Sequence, residues 1–340
     1  MFSFSGYDAV IITDEKQIFY FAGYKAEGYL LITENQNYFC TDNRYFYAVE
    51  KAVYGTKFKA VIGSWEFLKD YCEKSGIKRL GLDYSVTTLE QSYLIRKCCS
   101  CLKDVSDEIK KQTLIKTDAE IEKIRKACLI TEQTFLEVIP YIKEGVTELD
   151  LRAELEYRFL KKGASGTSFE PIVAFGENSA VPHHQTGNTR LEKNKAVLFD
   201  IGCVLDGYCS DFTRTLFFGQ PDKDFLHAYS CVYDAFFNAY NNIKTGMTCS
   251  QADNLARSVL ESENLPFTHS LGHGVGINIH ETPYLRKNGN EILKEASVFT
   301  IEPGCYLDGK FGIRLEDTCY LKNGKVNNFY SLDKKLKVIE

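Results

Sequence analysis

Apolar positions in the first third of the chain gather into short runs rich in β-branched and aromatic residues, at 7–12, 28–33, 38–41, 58–62 and 80–83, and each run predicts a strand. Between them, 43–53, 64–75 and 87–97 place their apolar residues at helical spacing, and Gly76 closes the second of these helices. Strands alternating with helices predict an α/β domain of its own. It contains no cluster of histidines and carboxylates, so it is assigned no primary chemistry. A polar, lysine-rich passage from 104 to 116 then reads as the joint between two halves, giving domains at 1–112 and 113–340.

Thr117 opens the second half with a capping box, because Glu120 lies three residues on, and Ile121, Ile124, Cys128 and Phe135 follow on one helical face. The hexapeptide Ile142-Lys143-Glu144-Gly145-Val146-Thr147 later returns as Ile243-Lys244-Thr245-Gly246-Met247-Thr248. In both copies the glycine ends one helix, the threonine caps the next, and an amphipathic helix follows. An acidic hairpin comes after each copy. Together these features predict a duplicated domain with pseudo-two-fold symmetry, and ligands usually bind where such halves meet.

Composition narrows the partners. The 340 residues exceed a usual single domain, and a net charge of -5 gives no reason to expect nucleic acid or an anionic membrane. No apolar run is long enough to span a bilayer, and residues 1–10 lack the basic stretch and apolar core of a signal peptide. The 12 cysteines therefore read as reduced thiols of a cytoplasmic protein rather than a disulfide framework. Cys98, Cys99 and Cys101 lack the spacing of a zinc site and read as small buried residues.

Five side chains carry candidate chemistry: Asp200, Asp211, His273, Glu302 and Glu316, each in a strand-like, glycine-punctuated segment. Four carboxylates cannot share a buried pocket without a compensating cation. Oxygen-rich ligation with one imidazole suits a pair of hard or borderline divalent metals. Asp206-Gly207 signals a two-residue hairpin turn, which sets 200 opposite 213 and 202 opposite 211. Asp200 and Asp211 then become diagonal neighbours on one face, in strands that Phe199, Ile201, Phe212 and Leu216 mark as half-buried. For the second pair, a two-residue turn at Asp308-Gly309 would split Glu302 and Glu316 between faces. An odd loop such as Asp308-Gly309-Lys310, or an equivalent bulge, sets them opposite each other, and a shared metal site requires it. The glycines around His273 argue against a helix and for close approach of backbone to a ligand.

The blocks Pro182-His183, Asp200 to Thr215, Gly272 to Glu281, Glu302-Pro303-Gly304 and Gly312 to Asp317 resemble the pita-bread metallopeptidases, a group that includes aminopeptidase P, prolidase, creatinase and methionine aminopeptidase. The first half resembles the creatinase-type domain of the proline-directed members, notably at Gly23-Tyr24 and Thr41-Asp42-Asn43-Arg44-Tyr45. That resemblance implies an α/β (α+β) chain with a small creatinase-type domain followed by a pita-bread domain. It implies that Asp200 and Asp211 hold one metal, that Asp211 and Glu316 bridge to a second, and that His273 and Glu302 complete it. His183 and His280 match histidines that bind substrate and stabilise the tetrahedral intermediate, with Glu302 as proton acceptor. Arg314 is expected to orient ligand carboxylates, and His184, which has no counterpart, to be solvated or an indirect partner. Two Mn²⁺ ions suit four oxygens to one nitrogen, and Co²⁺ or Zn²⁺ fits the same geometry without help from Cys203, Cys209 or Cys305. The implied activity is that of an Xaa-Pro aminopeptidase, assembled as a homodimer, acting on peptides with proline in second position. Xaa-Pro dipeptidase and a non-catalytic peptide-binding module are the alternatives.

Overall fold

Side-chain alternation along the strands builds the first unit. Val10 and Ile12 enter one apolar cluster with Leu30, Ile32 and Phe39, while Ala9 and Ile11 enter another with Leu31, Leu80 and Leu82. The central strands are buried on both faces. The six-stranded sheet runs in the order Phe58–Ile62, Asn37–Thr41, Tyr29–Thr33, Ala9–Ile12, Arg79–Leu82, Cys101–Asp104, with half-exposed strands at both edges. The computed structural model describes residues 2–340 and divides into two compact units, Met1–Thr113 and Leu114–Glu340. Two helices in the first unit differ from the sequence expectation. Glu15–Ala22 is only 8 residues long and owes its start to Asp14, whose carboxylate accepts from the Lys16 and Gln17 amides. The lysine-rich passage taken as a joint folds as the helix Ser106–Leu114, in which only Ser106 and Ile109 are buried, too few to write a helical period.

The second unit repeats one plan twice. Helices Asp118–Val138 and Glu148–Lys161 precede strands Ile172–Phe175, Lys195–Ile201 and Phe212–Phe218. Helices Lys223–Asn242 and Cys249–Ser262 precede Gly272–Gly274, Val298–Ile301 and Glu316–Lys322. The hexapeptide echo makes the same contacts in both halves. The Gly145 amide donates to the Leu191 carbonyl and the Gly246 amide to that of Leu293, both at 2.8 Å. Thr147 and Thr248 each cap the helix that follows through a complete capping box. The halves join where Glu316–Lys322 pairs antiparallel with Phe212–Phe218, in the middle of a nine-stranded sheet. Phe212–Phe218 is buried at every position, so these strands are fully rather than half buried.

Two turns set the register of the acidic residues. Asp206 and Gly207 adopt φ of 49° and 79°, the left-handed pair of a two-residue hairpin turn, and Asp200 faces Thr213 as a result. In the other hairpin Leu307 pairs with Phe311, leaving the three-residue loop Asp308-Gly309-Lys310 with Gly309 at φ 67°. The same register continues to Ile301 opposite Asp317, which sets Glu302 opposite Glu316 as the odd loop requires. The glycines beside His273 serve a different end from the one expected. A Cβ on Gly272 would lie 2.0 Å from the Thr300 carbonyl oxygen and one on Gly274 2.4 Å from that of Thr282, so they admit neighbouring strands rather than a ligand. Among the described residues no helix is long and apolar enough to cross a membrane.

Candidate metal centre

The paired hairpins turn their acids into one cleft of about 520 Å³ within the second unit. Asp200, Asp211, His273, Glu302, Glu316, Arg314, His183 and His280 all line it. Asp211, His273 and Glu316 are buried, with ligating atoms within 4.8 Å of one another. His273 Nε2 lies 3.4 Å from Asp211 Oδ2 and 3.4 Å from Glu302 Oε1. Its Nδ1–H donates to the Gly274 carbonyl at 3.1 Å, which fixes the tautomer and turns the Nε2 lone pair toward the carboxylates. Burial, aided by His280, holds its pKa down at about 4, so the ring is neutral at pH 7 and able to ligate.

The carboxylates are under opposite pressure. Burial pushes the pKa of Asp211 and Glu316 well up, and neighbouring acidic charges, Asp200 and Glu302 among them, push the same way. Burial also raises Glu302 to about 8, against the opposing pull of Arg314. Asp200 Oδ1 is buried with no hydrogen-bond partner, while Oδ2 accepts from Arg314 Nη2 at 2.5 Å. An orphaned carboxylate oxygen beside three acids that burial resists ionising is a donor set that fits a bound dication.

The protonation balance predicts how the metal-free protein responds to pH. An ordinary glutamate ionises near 4.5 and Glu302 in the folded chain near 8, so across that window the unfolded state binds fewer protons than the folded one. Folded stability is therefore full below the lower value and declines as pH rises through the upper one; Asp211 and Glu316 act in the same direction. The melting temperature of chelator-stripped protein should fall between about pH 5 and about pH 8, and Mn²⁺ should restore it by binding the folded state. A profile that rises over this range without metal would contradict the electrostatic account.

Arg314 ties the parts together. Its Nη1 donates to Tyr306 Oη at 2.8 Å and to the Pro182 carbonyl, next to His183, at 3.4 Å. Its Nε donates to Thr213 Oγ1, which in turn donates to Glu316 Oε2 at 2.5 Å. Tyr306 Oη donates to His269 Nε2 at 2.7 Å, and His269 Nδ1–H donates to the Ser270 carbonyl. Burial, with Arg314 next in weight, lowers His269 to about 3 and keeps it neutral. The sequence reading missed both His269 and Tyr306. Tyr306 lies an even four residues beyond Glu302, so the alternation that paired the glutamates contained the signal for it.

The histidines separate by burial. His183 and His280 are exposed on the wall of the cleft, and the His280 ring lies 4.3 Å from that of His273. Beside it, Glu281 is gripped by Lys116 at 2.5 Å, a nearly buried ion pair. His184 is not solvated. Its Nε2 pairs at 2.9 Å with Glu148, a buried carboxylate that also accepts from the Phe175 and Gly187 amides and from Asn178. The cysteines stay out of the cleft: Cys203 Sγ donates to the Ala127 carbonyl, Cys209 Sγ to that of Ile277, and Cys305 lies in the core.

Residues 122–323, more than half of the chain, match the sequence model of metallopeptidase family M24. The chain belongs to that family. Residues 3–126 of this M24 chain match the creatinase/prolidase N-terminal domain. It is 34% identical over 329 residues to the Xaa-Pro dipeptidase of Pyrococcus horikoshii, covering 93% of this chain and 91% of that one. The solved structure of an Xaa-Pro dipeptidase from Bacillus anthracis superposes with a TM-score of 0.94 at 31% identity, covering 98% and 96% of the two chains. An X-Pro aminopeptidase from Thermotoga maritima MSB8 gives 0.92 at 32%, covering 98% of each. The M24 chain is accordingly a metallopeptidase, a hydrolase of mixed α/β class, with a creatinase-type first domain and a pita-bread second, as its sequence blocks imply.

Proposed function

We propose that this chain cleaves the bond between the first residue and a following proline at the amino end of peptides. The observation that carries the reading is the convergence of four carboxylates and one neutral imidazole in a single buried cleft, with two exposed histidines on its wall. The relatives named above add the proline preference, since each is described as an Xaa-Pro or X-Pro enzyme. In this reading Asp200, Asp211, His273, Glu302 and Glu316 hold two divalent ions, for which Mn²⁺ suits the donors best. The protein acts as a cytoplasmic homodimer and takes short peptides.

The metals, when bound, supply a nucleophilic hydroxide at neutral pH and polarise the scissile carbonyl. The side chains do the rest. Glu302 Oε1 is engaged by Thr300 Oγ1 at 3.1 Å, which leaves Oε2 to accept a proton and pass it to the departing proline nitrogen. His280 and His183 donate N–H to the oxygen on which negative charge develops. Arg314 keeps Asp200 turned inward and, through Thr213, keeps Glu316 in place.

A second reading, Xaa-Pro dipeptidase, is favoured by the names of the Pyrococcus and Bacillus relatives. Assaying metal-replete protein on Xaa-Pro dipeptides and on Xaa-Pro-Yaa peptides separates the two. Faster turnover of the longer peptides is expected; preference for dipeptides transfers the assignment to dipeptidase, and failure on both sinks the proline-directed reading.

A further inference from the structure

Helix Lys223–Asn242 carries His227 and Cys231 four residues apart, so both lie on one face. Glu263, the residue that closes the adjacent helix Cys249–Ser262, reaches the same place. His227 Nε2 lies 3.9 Å from Cys231 Sγ and 3.5 Å from Glu263 Oε2, and all three ligating atoms fall within 4.8 Å of one another. Around a tetrahedral zinc, a sulfur and a nitrogen stand about 3.6 Å apart and a nitrogen and an oxygen about 3.4 Å. The two shorter edges of this triad match those lengths to within a small side-chain adjustment. None of the three residues lines the M24 cleft.

We propose that His227, Cys231 and Glu263 form a separate site for a borderline divalent cation such as Zn²⁺, which clips together the two helices of the second half. Thiolate, imidazole and carboxylate make a softer donor set than the oxygen-rich one in the cleft, so the two sites select different ions. The layout gives an ion a way in. Cys231 is 7% exposed, whereas the side chains of His227 and Glu263 are 58% and 47% exposed, so the sulfur forms the floor of a site open to solvent.

Local charge points the same way. Glu263 and Asp234 set negative charge beside the Cys231 sulfur. The same negative surroundings favour a dication, whose binding releases the thiol proton. The ordinary reading of Cys231 as a small buried residue accounts for the sulfur. It does not account for an imidazole and a carboxylate brought to that sulfur from two helices.

Cobalt(II) provides a readout that the cleft cannot imitate, because the cleft donors are all oxygen or nitrogen. Full-length protein is first saturated with Mn²⁺ and then titrated with cobalt(II) chloride. A thiolate-to-cobalt charge-transfer band in the near ultraviolet should grow to a single equivalent per chain. C231S should lose the band while keeping wild-type peptidase activity, and H227A should weaken cobalt binding by roughly tenfold or more. With the cleft kept saturated by excess Mn²⁺, zinc(II) chloride should raise the melting temperature of the wild type by more than that of C231S. Absence of the band from the wild type, or its persistence in C231S, would overturn the proposal.

Discussion

Replacing Asp211 with alanine is expected to remove metal loading and turnover together. Asp211 is 4% exposed, and its Oδ2 lies 3.4 Å from His273 Nε2. The hairpin register makes it the diagonal neighbour of Asp200, and Glu316 sits opposite Thr213 on the adjoining strand. With Glu316 it is one of the two carboxylates expected to be shared between the ions, and Glu316 alone cannot fill both roles. The backbone at this position does not depend on the carboxylate. The Asp211 carbonyl accepts from Thr318 Oγ1 at 2.9 Å and from Tyr330 Oη at 2.7 Å, so the alanine variant should fold. In the metal-free state it should melt no lower than the wild type, because a buried, repelled acid has been removed. The fall in kcat/KM should be on the order of a thousandfold, equivalent to about 4 kcal/mol. Elemental analysis, a kinetic assay and a melting curve on the same preparation check all three parts. A metal-replete, active alanine variant would remove Asp211 from the centre.

His280→Ala should behave differently. The residue is exposed and stacks edge-on against His273 at 4.3 Å, with Glu281 beside it anchored by Lys116. Its loss leaves the loop attached and the carboxylates untouched, so metal content should hold. His280 contributes to the lowered pKa of His273, but burial is the larger cause, so His273 stays neutral and able to ligate at pH 7. What disappears is a hydrogen-bond donor to the developing oxyanion, and removing one such donor costs about 10²–10³ in kcat. Little of that cost should appear in KM. Steady-state kinetics on an Xaa-Pro-Yaa peptide, with metal content measured in parallel, give the outcome. A variant that lost metal instead would recast His280 as part of the ligand shell.

Turn chemistry explains why so much of the site could be read along the chain. Two residues at Asp206-Gly207 and three at 308–310 fix the register of each hairpin, and register alone brings four distant acids to one face. The threonines of the hexapeptide echo were legible for a similar reason, because a capping box is local chemistry. The glycines, expected to end helices, instead lie beyond the caps at Ile139 and Ile243 and make matching turn hydrogen bonds. Long-range burial was harder to read. Phe212–Phe218 is covered on both faces, which its alternating Thr213, Arg214 and Thr215 disguise, because Arg214 is buried against Asp317. Gly272 and Gly274 signalled close approach correctly, but only the third dimension shows that the partner is another strand. His184 was expected to be solvated or an indirect partner, and the sequence could not choose because its anchor, Glu148, lies 36 residues earlier at the start of a helix. Short helices such as Glu15–Ala22 fail for want of length, since eight residues with three buried positions carry too little period.

The most direct measurement is an anomalous difference map from crystals grown with Mn²⁺, recorded at the manganese absorption edge. The arrangement of the five donors predicts two peaks per chain, about 3.5–4 Å apart, with Asp211 and Glu316 between them. A single peak, or peaks away from these side chains, would contradict a dinuclear centre built by the two hairpins.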